Sequence, residues 1–352
     1  MRARARFSAL CFLLLGGPAA CGGAARETPP SVPAQPAPEG ATAGPLEATE
    51  LTPVAAPAEL ILQGRFRDPA LLLNRGIDWV HVPFSWEEML TSQLPGLAPN
   101  LDLAAPADIT VSLDPESFGA PKVLYAVAVG LKGFDEALHA LRSAGRQVER
   151  VSSGVHFVQL DPEVSCVVSR SVGKTPARLV CSDSRKSLDL LGPYMSRTLP
   201  AQDLGPADVR LTLSVEPIRK RYGKKAHLLK VGIPVFLREV SLNNHRFDSA
   251  LSDAAHGVVD ELLKLSEELD QLELSARIDE EREVLDAEFS VRLRGNRSFI
   301  AGELTHAASA AGPAPALFWQ LPADVSGAMY SQGAPVGDRH ALIRRTFMEL
   351  AL

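Results

Sequence analysis

A short phrase written three times constrains this chain more than any other feature. Pro106-Ala107-Asp108-Ile109 returns as Pro206-Ala207-Asp208-Val209 and again as Pro322-Ala323-Asp324-Val325. After the first two copies the residues alternate. Ile109, Val111 and Leu113 stand against Thr110 and Ser112, and Val209, Leu211, Leu213 and Val215 against Arg210, Thr212 and Ser214. A period of two predicts a strand with one face buried and one face wet. Each run stops at an acid and a proline, Asp114-Pro115 and Glu216-Pro217. Proline has a fixed φ and no N–H for a ladder, so the strand ends or turns there. The phrase thus predicts the opening strand of a repeated unit. The expected fold class is α+β, with two related modules of mainly antiparallel sheet and packed helices, at 59–205 and 206–352, following a disordered N-terminal tether.

In the first module, residues 59–99 read as an opening subdomain. Ile77 to Val82 suggests a strand, and Ser85 suits the cap of a helix through Glu87, Glu88, Met89 and Leu90. Lys122 to Leu131 is apolar on both faces, as a central strand is. Phe134, Leu138 and Leu141 have helical spacing ahead of Gly145. A meander follows through 147–151, 154–160, 163–170 and 177–182, and Ser184 then caps a helix carrying Leu188, Leu190 and Leu191.

The second module is expected to carry a long helix from about Asp248 to Leu269, with Leu251, Ala254, Val258, Leu262 and Leu265 as one stripe. Leu272, Leu274, Ala276 and Ile278 then alternate. Beyond the charged turn Asp279-Glu280-Glu281-Arg282, so do Leu285, Ala287, Phe289, Val291 and Leu293. These two runs predict a hairpin with one face in the core. Phe299 to Leu304 reads as a third strand. Little follows the third phrase: Gly327, Gly333 and Gly337 weaken its strand, and Asp338 suits the cap of a last helix with Leu342, Ile343, Phe347 and Leu350 inward. Such a fragment cannot bury a core alone, so its apolar face is expected on the second module or on another chain.

The first twenty residues carry Arg2, Arg4 and Arg6, an apolar run from Phe7 to Leu15, and small residues before Cys21. This is the pattern of an export signal, and the run is too short to span a bilayer as a helix. Around Cys21 the chain resembles a bacterial lipobox, whose cysteine becomes the acylated first residue of the mature protein. Ala19 and Ala20 fit that pattern, while Pro18 stands where Leu, Val or Ile is usual. The alternative is a secreted protein whose Cys21 merely lies near the cut. Gly22 and Gly23 occupy the place where an Asp would resemble an inner-membrane retention signal, which points to the outer membrane, facing the periplasm. Residues 21–58 are rich in Pro and Ala and contain little to bury, so a disordered leash is expected, reaching roughly 100 Å at about 3.1 Å per residue.

The four cysteines sort by place. Cys11 leaves with the signal and Cys21 takes lipid, which leaves Cys166 and Cys181 to pair in an oxidising compartment. The turn chemistry of Gly173-Lys174-Thr175-Pro176 between two β runs sets them opposite each other, in a loop worth about 3 kcal/mol of chain entropy. A redox role would call for a Cys-x-x-Cys or a nearby base, and the sequence offers neither.

The order of phrase strand, meander and helix, together with Leu317-Phe318-Trp319-Gln320-Leu321-Pro322-Ala323-Asp324, resembles a set of uncharacterised exported bacterial lipoproteins with duplicated α+β modules. The likeness covers most of residues 77 to 335. It implies the fold and the compartment, and no catalytic residue.

No motif for chemistry emerges. The sequence holds no Gly-x-Ser-x-Gly for a nucleophile elbow and no His-Glu-x-x-His for zinc. Gly130-Leu131-Lys132-Gly133 lacks the spacing of a phosphate loop. His256 and Asp260 share a helix face at i, i+4, the arrangement of half a metal site and more often of a surface hydrogen bond. No catalytic residue, metal ligand or cofactor is therefore assigned. The net charge of −6 disfavours nucleic acid as a partner. Against that acidity, Arg219, Lys220, Arg221, Lys224 and Lys225 cluster around Tyr222. The cluster suits lipid phosphates or an anionic envelope polymer, or else it is a solvated helix end whose cations favour the C-terminal dipole before Gly223.

The expected protein is a lipid-anchored envelope module that binds or organises without catalysis, its partners being the membrane through its anchor and an envelope protein or anionic polymer. Two alternatives stand: a periplasmic, hydrolase-like enzyme whose site is assembled from distant residues, and a lipid-carrying or chaperone-like body.

Overall fold

The computed structural model describes residues 51–80, 85–94, 96–117, 121–172, 175–225, 245–279 and 284–310, with 312, 315, 316 and 320 as isolated positions. The export segment, Cys21 and the tether as far as residue 50 lie outside the described residues. So do Gly173 and Lys174 of the expected turn, 280–283, the third copy of the phrase and the helix expected after Asp338.

The architecture is α+β. Its strands are β1 (Leu60–Phe66), β2 (Leu101–Asp102), β3 (Ala107–Leu113), β4 (Val123–Leu131), β5 (Val148–Ser152), β6 (Val155–Asp161), β7 (Val164–Ser169), β8 (Ala177–Ser182), β9 (Val209–Ser214), β10 (Leu269–Asp279) and β11 (Val284–Leu293). Its helices are α1 (Pro69–Val80), α2 (Trp86–Gln93), α3 (Phe134–Ser143), α4 (Arg185–Arg197), α5 at 216–225, α6 (His245–Glu268) and α7 (Phe299–Ala310). The strands form one large antiparallel sheet in the order β11-β10-β9-β1-β3-β4-β8-β7-β6-β5, with β2 paired to β4. The chain divides into two compact units, residues 1–211 with 275–287, and residues 212–274 with 288–352. β9, β10 and β11 each contribute residues to both.

In the first unit β4 and β8 are sandwiched. One face carries Leu179, Val168, Val158 and the cysteine pair under Phe134, Ala137, Leu138 and Leu141 of α3. The other carries Ala126, Ala128 and Val180 under Leu188, Leu191, Tyr194 and Met195 of α4. Burial on two sides explains why β4 and β8 read as apolar throughout. The helix starts follow local chemistry: the side chain of Ser85 accepts from the Glu88 N–H and that of Ser184 from the Ser187 N–H. Helix α3 closes at Gly145, whose φ of +73° is the left-handed turn that glycine takes without strain. Residues 51–58, the last of the expected tether, are held to the unit: the Val54 N–H and C=O both bond the Thr198 hydroxyl.

Several expectations need correction. Of the strand expected at 77–82, residues 77–80 are the end of α1, and 81 and 82 lie outside the described residues. Asp68 Oδ1 accepts from the Leu71 N–H at 2.9 Å and Pro69 takes the first helical position, after which Ala70, Leu73 and Ile77 pack on the core at helical spacing. The strand expected at Phe299–Leu304 is the start of α7, where the Ser298 hydroxyl accepts from the Ala301 N–H at 3.0 Å.

Of the stripe expected on α6, the side chains of Leu251 and Ala254 lie outside the described residues, Leu265 is half-buried, and two members face solvent. Val258 is 58% and Leu262 55% exposed, while Val259 and Glu268 are buried. The helix is turned so that Glu261 and Glu268 reach the first N–H groups of α7, which leaves Val258 and Leu262 open. In β11, residues 285–290 are all exposed, so the hairpin face expected in the core is not buried there.

The wet face expected for the first phrase strand is wrong as well. β3 is buried on both sides, with Asp108, Thr110 and Ser112 fully enclosed. The reason lies in what these polar groups meet.

Candidate functional site

Sheet register brings together three buried charges of the first unit. Arg65 on β1 lies opposite Asp108 on β3, and Asp108 lies opposite Ala128 on β4, whose next neighbour, β8, carries Arg178. Arg65 Nε donates to Asp108 Oδ1 at 2.7 Å, and Arg178 donates through a terminal nitrogen to Asp108 Oδ2 at 2.6 Å. The exposures of the three residues are 3%, 0% and 1%. Two guanidiniums thus share one carboxylate, and each is further tied to a carbonyl, Arg65 to Gln202 and Arg178 to Ala128. Charges removed from water persist when they are paired in this way, and the buried Nε of Arg178 is left without a hydrogen-bond partner among the described residues.

Around the triad the polar network continues. The Tyr194 hydroxyl donates to Gln63 Oε1 at 2.9 Å and accepts from Gln202. Thr110 donates to the Met195 sulfur. Burial pushes the Arg178 guanidinium down, against the pull of Asp108 and with a further push from Arg65. It also raises the Tyr194 phenol, although the bond from Gln202 opposes that. Chemically the cluster can lock β1, β3 and β8 into one register. Its enclosure excludes a soluble substrate from the three charged groups.

A second polar group borders it. At the end of β3, Asp114 accepts from Lys186 of α4 at 2.7 Å, and Lys186 also reaches Glu116. The bond from Lys186 holds the Asp114 carboxyl below its ordinary range, with burial opposing. The two carboxylates raise Lys186 in return.

In the second unit the buried carboxylate is Glu268. It accepts from the N–H groups of Arg297 and Ser298 at the start of α7. Burial works against its charge, but these N–H groups outweigh that and keep its pKa low. A Cβ on Gly295 would sit 2.9 Å from Glu268 Oε1, so the carboxylate fills the space that this glycine leaves.

The five-cation cluster lies on α5, which continues through Gly223 to at least residue 225. Its members have different occupations. Arg219 donates to the carbonyls of Glu267 and Leu269, closing the C-terminal end of α6. Lys220 pairs with Glu216 one turn back at 2.8 Å. Arg221 and Lys225 lie 6.0 and 5.8 Å from the Tyr222 ring centre, and Lys224 is exposed.

Cys166 and Cys181 face each other in the β7–β8 register and are disulfide-bonded, with Cα atoms 4.1 Å apart. The side chain of His256 lies outside the described residues, and no group of three or more potential metal ligands occurs among those that are described.

No protein-family model matches the chain, and no curated protein and no solved structure matches it. The chemistry above therefore stands on its own geometry.

Sequence reasoning missed Arg65, Asp108 and Arg178 as partners. One signal was present: Arg178 interrupts Ala177-Arg178-Leu179-Val180-Cys181, a run otherwise suited to burial. A charge inside such a strand asks for a buried counter-charge. Nothing in the spacing of Glu268 marks it as the acceptor for a helix thirty residues on.

Proposed function

We propose that this chain is an exported bacterial lipoprotein of the duplicated α+β kind it resembles, anchored through Cys21 to the outer membrane and facing the periplasm, and that its body is a non-enzymatic interaction module. The observation that carries the compartment is the Cys166–Cys181 disulfide, a bond that persists where the surroundings oxidise. The buried charged groups support the non-enzymatic part. Asp108 holds three strands together, and Glu268 holds the start of a helix, so each is committed to architecture. The duplication draws support from the first two phrases supplying the two strands that flank β1.

The test is fractionation. The wild-type protein sediments with outer membranes, and Cys21→Ala appears in the periplasmic supernatant. A Cys21→Ala protein still bound to membrane defeats the anchor. Free Cys166 and Cys181 thiols, labelled in freshly lysed cells, defeat the compartment.

A further inference from the structure

The two edges of the sheet are treated differently. At one end β5 has five residues, a register irregularity between Arg150 and Ser152, and a charge pair from Glu149 to Arg185. Short length, a bulge and charge are devices that blunt an edge. At the other end β11 has ten residues, and its charges, Asp286, Glu288 and Arg292, are of both signs. Its side chains at 285–290 are exposed on both faces, with Phe289 at 63% and Leu285 at 49%.

The strand is also complementary to itself. Read from Phe289 outward, Leu285-Asp286-Ala287-Glu288-Phe289-Ser290-Val291-Arg292-Leu293 places leucine opposite leucine, aspartate opposite arginine, alanine opposite valine and glutamate opposite serine. In an antiparallel pair of two such strands centred on Phe289, every apolar residue falls on the same face as its counterpart. A slip of one residue would set them against the charged face. Asp286 and Arg292 form no ion pair among the described residues, so both are free for the other copy.

We infer that β11 pairs edge to edge with β11 of a second copy of this chain, in the register that places Phe289 against Phe289. Two-fold symmetry makes each contact occur twice: Asp286 meets Arg292 of the other copy, and that copy's Asp286 meets Arg292 here. The Phe289 pair lies on the axis, where an aromatic cross-strand pair contributes most. Backbone N–H and C=O groups along the edge that no other described strand occupies supply the affinity, and the side chains supply the register. The inference does not depend on export or on the lipid anchor.

The experiment uses the full mature chain with Cys21→Ala, so that lipid does not hold it together. Light scattering after size exclusion is expected to give twice the mass of one chain. Asp286→Arg and Arg292→Asp each replace attraction by repulsion at both symmetric positions, and each should weaken the dimer by at least about tenfold. The double variant Asp286→Arg/Arg292→Asp exchanges the two charges and should restore it, which a misfolded chain would not do. Register is read from single cysteines. Facing residues lie about 4.5–5.5 Å apart at Cα, within disulfide reach, so oxidised Phe289→Cys should run as a linked dimer. Ala287→Cys alone should not link, its own copy lying about 13 Å away along the strand. Ala287→Cys mixed with Val291→Cys should link. A Cys21→Ala chain that stays monomeric at about 100 μM, well above a typical micromolar association, overturns the proposal. So does a double swap that stays monomeric, or an Ala287→Cys that links by itself as readily as Phe289→Cys.

Discussion

β3 and β9 each grow out of a Pro-Ala-Asp phrase and each lead to an acid followed by proline, yet they have different fates. β3 is enclosed on both sides, and β9 is half-buried along its whole length. Asp108 at the head of β3 has no exposure and holds two guanidiniums at 2.7 and 2.6 Å. Asp208, the residue just before β9, keeps 18% of its side chain exposed, faces Arg67 at 3.6 Å and accepts from the Ile278 N–H. The local sequence therefore specifies a strand, and the neighbours specify its environment. α4 lies over the polar face of β3, so its Asp, Thr and Ser had to find partners inside the protein.

The comparison breaks most directly at the two aspartates. Asp108→Ala leaves Arg65 and Arg178 buried with no anion between them, and is expected to cost about 3–5 kcal/mol. Asp208→Ala removes a longer, partly wet pair and one hydrogen bond, at about 1 kcal/mol. Urea midpoints of both variants measure this, and equal losses would mean that burial does not separate the two copies. Replacing the triad as Arg65→Met/Asp108→Leu/Arg178→Met removes all three charges together. It should leave stability within a few kcal/mol of wild type or raise it.

The disulfide comes next. It ties β7 to β8 beside Arg178, across a sequence separation of 15. Cys166→Ser is expected to lower stability by about 3 kcal/mol under oxidising conditions. The loss should vanish when wild type and variant are compared in excess reductant. If the deficit persisted in reductant, the thiol's packing would matter more than the cross-link.

What the sequence made legible follows the range of the interaction concerned. Period two found β3 and β9, a run apolar on both faces found β4, and hydroxyl caps found the starts of α2 and α4, because these signals lie within a few residues. Cys166 and Cys181 were legible for the same reason, joined through one short turn. The first helix was missed because Asp68-Pro69 was not weighed as a cap and first turn, although the signal was present. Phe299 to Leu304 was misread because an apolar hexamer alone does not separate strand from helix. The rotation of α6 was not legible, since it depends on where Glu261 and Glu268 find the N–H groups of α7. The buried triad was illegible for the same reason, being assembled from residues on β1, β3 and β8. Of the expected anion-binding cluster, the sequence located five cations but not their occupations, which depend on Glu216 and on the carbonyls at the end of α6.

The smallest expected effect concerns the acids that close the two phrases. Asp114 after β3 is nearly enclosed and bonded to Lys186, whereas Glu216 after β9 is 42% exposed and bonded to Lys220. Both carboxyls are held below their ordinary range by those lysines. A depressed carboxylate stabilises the fold fully above its ordinary pKa, and that contribution disappears as the pH falls through the lowered folded value. Lys186 gives the opposite limb: its raised pKa supplies stability below the ordinary lysine value, lost as the pH climbs through the folded one. Asp114→Asn should therefore flatten the acid limb of a stability–pH curve and weaken the alkaline limb at once, because Lys186 loses its main partner. Glu216→Gln should change the acid limb less, and less still in about 0.5 M salt, where exposed pairs are screened within a few ångströms. Thermal melts between acid and alkaline pH for the two variants at low and high salt give the comparison. If Glu216→Gln proved as costly as Asp114→Asn, and as indifferent to salt, enclosure would not be what distinguishes the two strand ends.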